Sequence, residues 1–84
     1  MIYQRPSFER RYKKLSNSQR AAVDTAIARF ESVLGRPHLH GGIGLRPFGR
    51  YLEFRAGLSL RVLALPDSGD HFLVCVGNHY EIRA

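Results

Sequence analysis

The chain has 84 residues, which is room for one domain (1–84) with a thin core. Hydrophobic residues make up 44% and aromatics 11%, which argues against disorder, and no apolar run reaches the ~20 residues that span a bilayer. Thirteen Lys and Arg against seven Asp and Glu leave a formal charge of +6, and the single Cys75 excludes an intramolecular disulfide.

In chain order, the opening "MIYQRPSFERR" has no apolar h-region, so no signal peptide is expected and a cytoplasmic protein is. "MIYQ" is a short candidate strand closed by Pro6. In "SFERRYKKLS", Phe8, Tyr12 and Leu15 recur at i, i+4 and i+7, which predicts a short amphipathic helix capped by Ser7. Its other face carries Arg10, Arg11, Lys13 and Lys14. "NSQRAAVDTAIARFESVLG" places Val23, Ile27, Phe30 and Leu34 on one stripe, with Asn17 or Ser18 as cap and Gly35 at the C′ position. About three residues join these helices, so they form an antiparallel hairpin.

"GRPHLHGGIGLRPFGR" is rich in Gly and Pro and reads as a loop. The period then changes to two. "YLEFRAG" alternates Leu52 and Phe54 against Tyr51, Glu53 and Arg55, and "LSLRVLAL" alternates Leu58, Leu60, Val62 and Ala64 against Ser59, Arg61, Leu63 and Leu65. After the "PDSGD" turn, "HFLVCVG" is a third strand, with His71 as an exposed edge residue and Cys75 as a small core residue. The expectation is an α+β domain: an N-terminal strand and a helical hairpin packed on a twisted antiparallel sheet, in the order β-α-α-β-β-β. One sheet face takes the hairpin and the other stays free.

Eleven of the thirteen cations are arginines, since Lys13 and Lys14 are the only lysines. A small, Arg-rich basic domain points to a polyanionic partner, either nucleic acid or an acidic protein segment; the plainer reading is solubility. Arg61 lies inside an apolar strand, so it is either ion-paired with Glu53 on the neighbouring strand or it binds a phosphate in a concave sheet face. A turn centred on Ser68 pairs Arg61 with residue 75. That brings His79 and Tyr80, which follow the third strand, toward the same face as Arg61. His38 and His40 in "HLHGG" lack the Cys, Asp or Glu neighbours of a metal site, so no metal and no cofactor is expected.

Across nearly the whole chain the pattern resembles the RelE/ParE superfamily, the toxins of bacterial type II toxin–antitoxin systems. "FERRYKKLSNSQRAAVDTAIARF" resembles the family's helical hairpin, and Glu53-Phe54-Arg55 its Glu-Leu-Arg core. "LRVLAL" is similar to its Tyr-Arg-Val-Leu-Tyr strand, and "VCVGNHYEIR" to its closing strand and Gly-x-His ending. The resemblance implies a RelE-like fold and a cognate antitoxin as partner. It also implies one of two activities: an endoribonuclease (mRNA interferase) that inhibits translation on the ribosome, or a ParE-like inhibitor of DNA gyrase without nuclease activity. A decayed toxin that only binds its antitoxin is the third reading.

In the favoured RelE/YoeB-like branch, Arg61 matches the Arg held against the scissile phosphate. His79 matches a catalytic His or Arg, and Tyr80 the terminal aromatic. His38 lies where a carboxylate base is found. Glu53 stands where RelE-type members carry lysines. Cleavage by this route needs no metal: the 2′-OH attacks, Arg61 holds the developing charge, His79 is the general acid, and Glu53 or His38 is the base. Tyr80 stacks on a base or bonds the phosphate. Arg46, Arg50 and Arg55 would hold flanking phosphates of the mRNA, and the basic first helix (Arg10, Arg11, Lys13, Lys14) would meet ribosomal RNA.

Overall fold

A computed structural model of the chain describes residues 1–36 and 42–83. The elements are β1 (Ile2–Gln4), α1 (Pro6–Lys13), α2 (Asn17–Val33), β2 (Arg46–Phe48), β3 (Tyr51–Ala56), β4 (Leu60–Asp67), β5 (Asp70–Asn78) and α3 (His79–Arg83). The fold is α+β. Its sheet has the order β1-β5-β4-β3-β2.

Both expected helices form, with different caps. Pro6 occupies the first turn of α1, where its missing N–H costs nothing, and Arg5 is the N-cap. Ser7 lies inside the helix and donates to the carbonyl of Val74 at 2.6 Å. α2 starts one residue earlier than expected, at a capping box. Ser16 accepts from the Gln19 N–H, and Gln19 reaches back to the Ser16 N–H. Val23, Ala26 and Phe30 of α2 and Phe8 of α1 join Phe54, Ala56, Leu60, Val62, Ala64, Leu73 and Val76 in the core. Phe30 stacks on Phe54 at 4.5 Å.

The sheet departs from the expected antiparallel meander in four ways. It is mixed: β1 pairs parallel with β5, Ile2 opposite His71. A three-residue strand cannot advertise its direction, and α1 and α2 between it and the meander let the chain return either way. "RPF" is not loop but an edge strand, paired with β3 through Arg46↔Glu53 and Phe48↔Tyr51. Pro47 is tolerated there because an edge strand needs hydrogen bonds on one side only. The turn is centred between Ser68 and Gly69, and a register shift between Leu63 and Ala64 adds one residue more, so Arg61 stands opposite Gly77, not residue 75. Leu58 leaves the apolar face altogether: β4 starts at Leu60, and Leu58 is fully exposed in the turn.

His71 is half-buried, not an exposed edge residue. β1 covers that part of β5, and the imidazole meets Phe30 edge-on at 5.4 Å. Burial holds it below the ordinary histidine range. The free Cys75 is half-buried on the face away from the hairpin, and burial raises its thiol.

The chain after β5 folds into α3. Asn78 caps it reciprocally with Glu81: the Glu81 N–H donates to the Asn78 side chain and the Asn78 N–H to the Glu81 carboxylate, both at 2.9 Å. A Cβ on Gly77 would stand 2.9 Å from the Glu81 Cβ, so glycine lets the helix turn back against its own strand. Ile82 is buried, and α3 packs on β4 and β5. The sheet face opposite the hairpin is therefore covered at one end, and Leu63 is buried there.

Candidate nucleic-acid interface

Strand alternation puts Leu52, Phe54 and Ala56 of β3 into the core and turns Glu53 and Arg55 to the other face. In β4, Leu60, Val62 and Ala64 point to the core, so Arg61 and Leu63 share the face of Glu53. Cross-strand partners point the same way, which adds Arg46 opposite Glu53 and Arg55 opposite Arg61.

Glu53 is 1% exposed and is the hub of this face. Arg46 meets it at 3.1 Å, Arg83 of α3 at 3.2 Å and Arg61 at 3.7 Å. Arg83 also lies over the Phe48 ring at 4.1 Å. A buried carboxylate costs several kcal/mol to dehydrate unless it is paired, and three guanidiniums supply the pairing. The ion pair of Arg61 with Glu53 is thus present, but it does not neutralise the site. Four guanidiniums gather around one carboxylate, and among the described residues Arg55 has no acidic partner. Arg55 and Arg61 stand directly opposite each other, an arrangement that costs about 0.2–1 kcal/mol for like charges.

Gly44, Arg46, Glu53, Arg55 and Arg61 line a cavity of about 260 Å³. Its only possible proton acceptor among those side chains is Glu53. With guanidinium donors on both of its oxygens, Glu53 is built to hold arginines in place.

His79 and Tyr80 are the first two residues of α3 and are exposed, Tyr80 at 81%. Their rings meet edge-on at 5.6 Å. Neither lines the Arg61 cavity, and neither hydrogen-bonds to Arg61 among the described residues. They reach its neighbourhood through the backbone, since Gly77 opposite Arg61 lies two residues before His79. His38, named above as a possible base, lies outside the described residues. Arg50 sits at the β2–β3 turn with its guanidinium 5.5 Å from the Tyr51 ring.

On the other side of α3, Arg10, Arg11, Lys13 and Lys14 border a groove of about 690 Å³ against Gly77 and Glu81. Arg11 pairs with Glu81 at 3.0 Å. Glu81 lies below its usual carboxylate range, first because it accepts the Asn78 N–H and then because of Arg11.

Arg83 was missed from sequence, although the Asn78-x-x-Glu81 spacing signals the helix that delivers it. Among the described residues no three His, Cys, Asp or Glu side chains converge as a metal site. No helix among them is long and apolar enough to cross a membrane. No protein-family model matches the chain, and no curated protein matches it.

Proposed function

We propose that this protein is the toxin of a RelE/ParE-type toxin–antitoxin pair and acts in the cytoplasm as a metal-independent endoribonuclease on mRNA. The observation that carries the reading is the arginine cluster on the partly open sheet face. Arg46, Arg55 and Arg61 line a cavity with ample room for a phosphate and outnumber the one acid among its lining residues. A phosphodiester is an anion that would relieve the Arg55–Arg61 opposition. Arg61 stabilises the pentacovalent phosphorane as the 2′-OH attacks and passes its proton to the general base, Glu53 or His38. His79 gives its proton to the departing 5′-oxygen, and Tyr80 beside it stacks on a base. The products are a 2′,3′-cyclic phosphate end and a free 5′-hydroxyl.

The test is expression without the antitoxin, with mRNA cleavage mapped on translating ribosomes. Cuts within messages are expected. His79→Ala lowers cleavage by about 10²–10⁴-fold while the melting temperature holds, because the side chain is exposed. Intact messages in growth-arrested cells would remove the nuclease reading.

One observation favours a second reading. The only acid lining the Arg61 cavity already holds arginines, so the site is better equipped to bind than to take a proton. A ParE-like inhibitor of DNA gyrase, or a protein that only binds its antitoxin, needs no base. Inhibition of supercoiling by purified gyrase is the deciding assay for the former; antitoxin binding without toxicity marks the latter.

A further inference from the structure

The Arg61 cavity has a neighbour of different character. An open groove of about 640 Å³ runs between α2 and the β3–β4 turn. Its α2 wall is made of small side chains, Ala21, Ala22, Thr25 and Ala26, and its other apolar contacts are Ile43 and Leu58. Gly57 brings the turn against this wall: a Cβ on it would already touch the Ala22 Cβ at 3.4 Å. Leu58 stands fully exposed at the rim, a position at which an apolar side chain gains nothing from folding. Arg29 borders the groove from α2.

Arg55 and Arg61 line both spaces. The two spaces therefore adjoin at an arginine pair: a cavity walled by charged side chains and Gly44 on one side, and on the other a groove in which small and aliphatic side chains lie among guanidiniums. A nucleotide places a flat base beside an anionic phosphate in the same way. The groove carries three guanidiniums and no acid among its lining residues. That composition suits a polyanion's base and backbone, and the planar guanidiniums give a base something to lie against.

The geometry points to a nucleobase subsite in this groove: single-stranded nucleic acid seats a phosphate in the Arg46–Arg55–Arg61 cavity and the adjoining base against Ala21, Thr25 and Leu58. Thr25 and Arg29 are the side chains placed to bond the base edge. The inference rests on the nucleic-acid part of the proposed function, not on cleavage.

The experiment measures binding of a short fluorescent 2′-O-methyl RNA, which lacks the attacking hydroxyl, beside the same strand made abasic. The intact strand is expected to bind roughly tenfold tighter, the scale of one base stacked on a protein surface. Ala21→Phe and Thr25→Leu, both at exposed helix positions, fill the groove and abolish that difference. They leave abasic binding and its salt dependence unchanged, while Arg55→Ala weakens both strands. Equal affinity of the intact and abasic strands for the wild type would overturn the subsite, and an assay that still shows mRNA cleavage would leave the nuclease standing. Base-dependent binding of this strand, with intact messages in the ribosome assay, supports the subsite and rejects the nuclease. Binding of neither strand overturns the subsite and the nucleic-acid reading together. A poly-glutamate peptide that binds more tightly than RNA, and is lost in the groove-filling variants, would assign the groove to an acidic protein segment instead.

Discussion

Three arginines from three different elements reach the carboxylate of Glu53, and their own hydration decides what its loss costs. The side chains of Arg46, Arg61 and Arg83 are 56%, 22% and 29% exposed, against 2% for Glu53. Removing one partner of a fully buried pair costs about 3–5 kcal/mol. Here the freed guanidiniums can turn toward water, so Glu53→Gln should cost about 2 kcal/mol. For a domain of this size that lowers the melting temperature by roughly 10 °C. Thermal and urea unfolding check it, and an unchanged midpoint would mean that the ion pairs contribute nothing net. The same substitution tests the chemistry. RNA affinity should rise as the cavity loses the one negative charge among its lining residues. Cleavage that survives Glu53→Gln excludes Glu53 as the base.

α3 has five residues, too few to hold a helix in isolation, so its order is borrowed from its contacts. These are the Asn78–Glu81 box, buried Ile82, and the reach of Arg83 to Glu53 and Phe48. Glu81 is depressed below its unfolded range, so its contribution is present above that range and is lost as pH falls through the folded pKa. The α3 cap should therefore weaken as pH drops below about 4.5, the reference value for a glutamate, and stay flat above it. Cα chemical shifts of Tyr80 to Arg83 followed by NMR titration report this, with β4 shifts as control. Glu81→Gln should give α3 shifts with no such step. This element also marks where sequence reading stops. α2 and the three central strands were legible because Val23 and Phe30, or Phe54 and Val62, repeat at the period of their element. Five residues hold no period, so "HYEIR" was not read as a helix, and its one local signal is the Asn78–Glu81 cap. "RPF" was hidden by its own Pro47. The direction of β1 and the slip at Leu63/Ala64 depend on pairing across the sheet, which no local pattern encodes. Of the site, Arg61 and Glu53 were legible as charges in apolar company, whereas Arg83 required α3.

At the scale of the whole molecule, α3 separates two basic surfaces. Glu81 on one side closes the α1 groove, and Arg83 on the other enters the arginine cluster, with His79 and Tyr80 exposed between them. The +6 charge is thus not spread evenly as a solubility coat would be. Eight of the thirteen cations gather in two patches that one strand of RNA, or two RNA partners, could occupy. Counterion release distinguishes these arrangements. Each phosphate neutralised on a single strand contributes about 0.7 to the slope of log affinity against log salt. If one short strand runs across α3 and touches both patches, Lys13→Ala with Lys14→Ala should lower the slope for a short oligonucleotide by about 1.4. A strand confined to the sheet face would show no change in slope with the short oligonucleotide and a loss only in ribosome binding. Fluorescence titrations at four or five salt concentrations separate the two. The pairing of Arg11 with Glu81 favours the second outcome, since it withdraws one α1 cation and places the Glu81 carboxylate in the groove that Lys13 and Lys14 border. The expectation is therefore a short-strand slope unchanged by the lysine pair and lowered by Arg55→Ala, with ribosome association falling in the lysine variant alone. A lysine variant whose short-strand slope drops would instead make α1 part of one continuous RNA track.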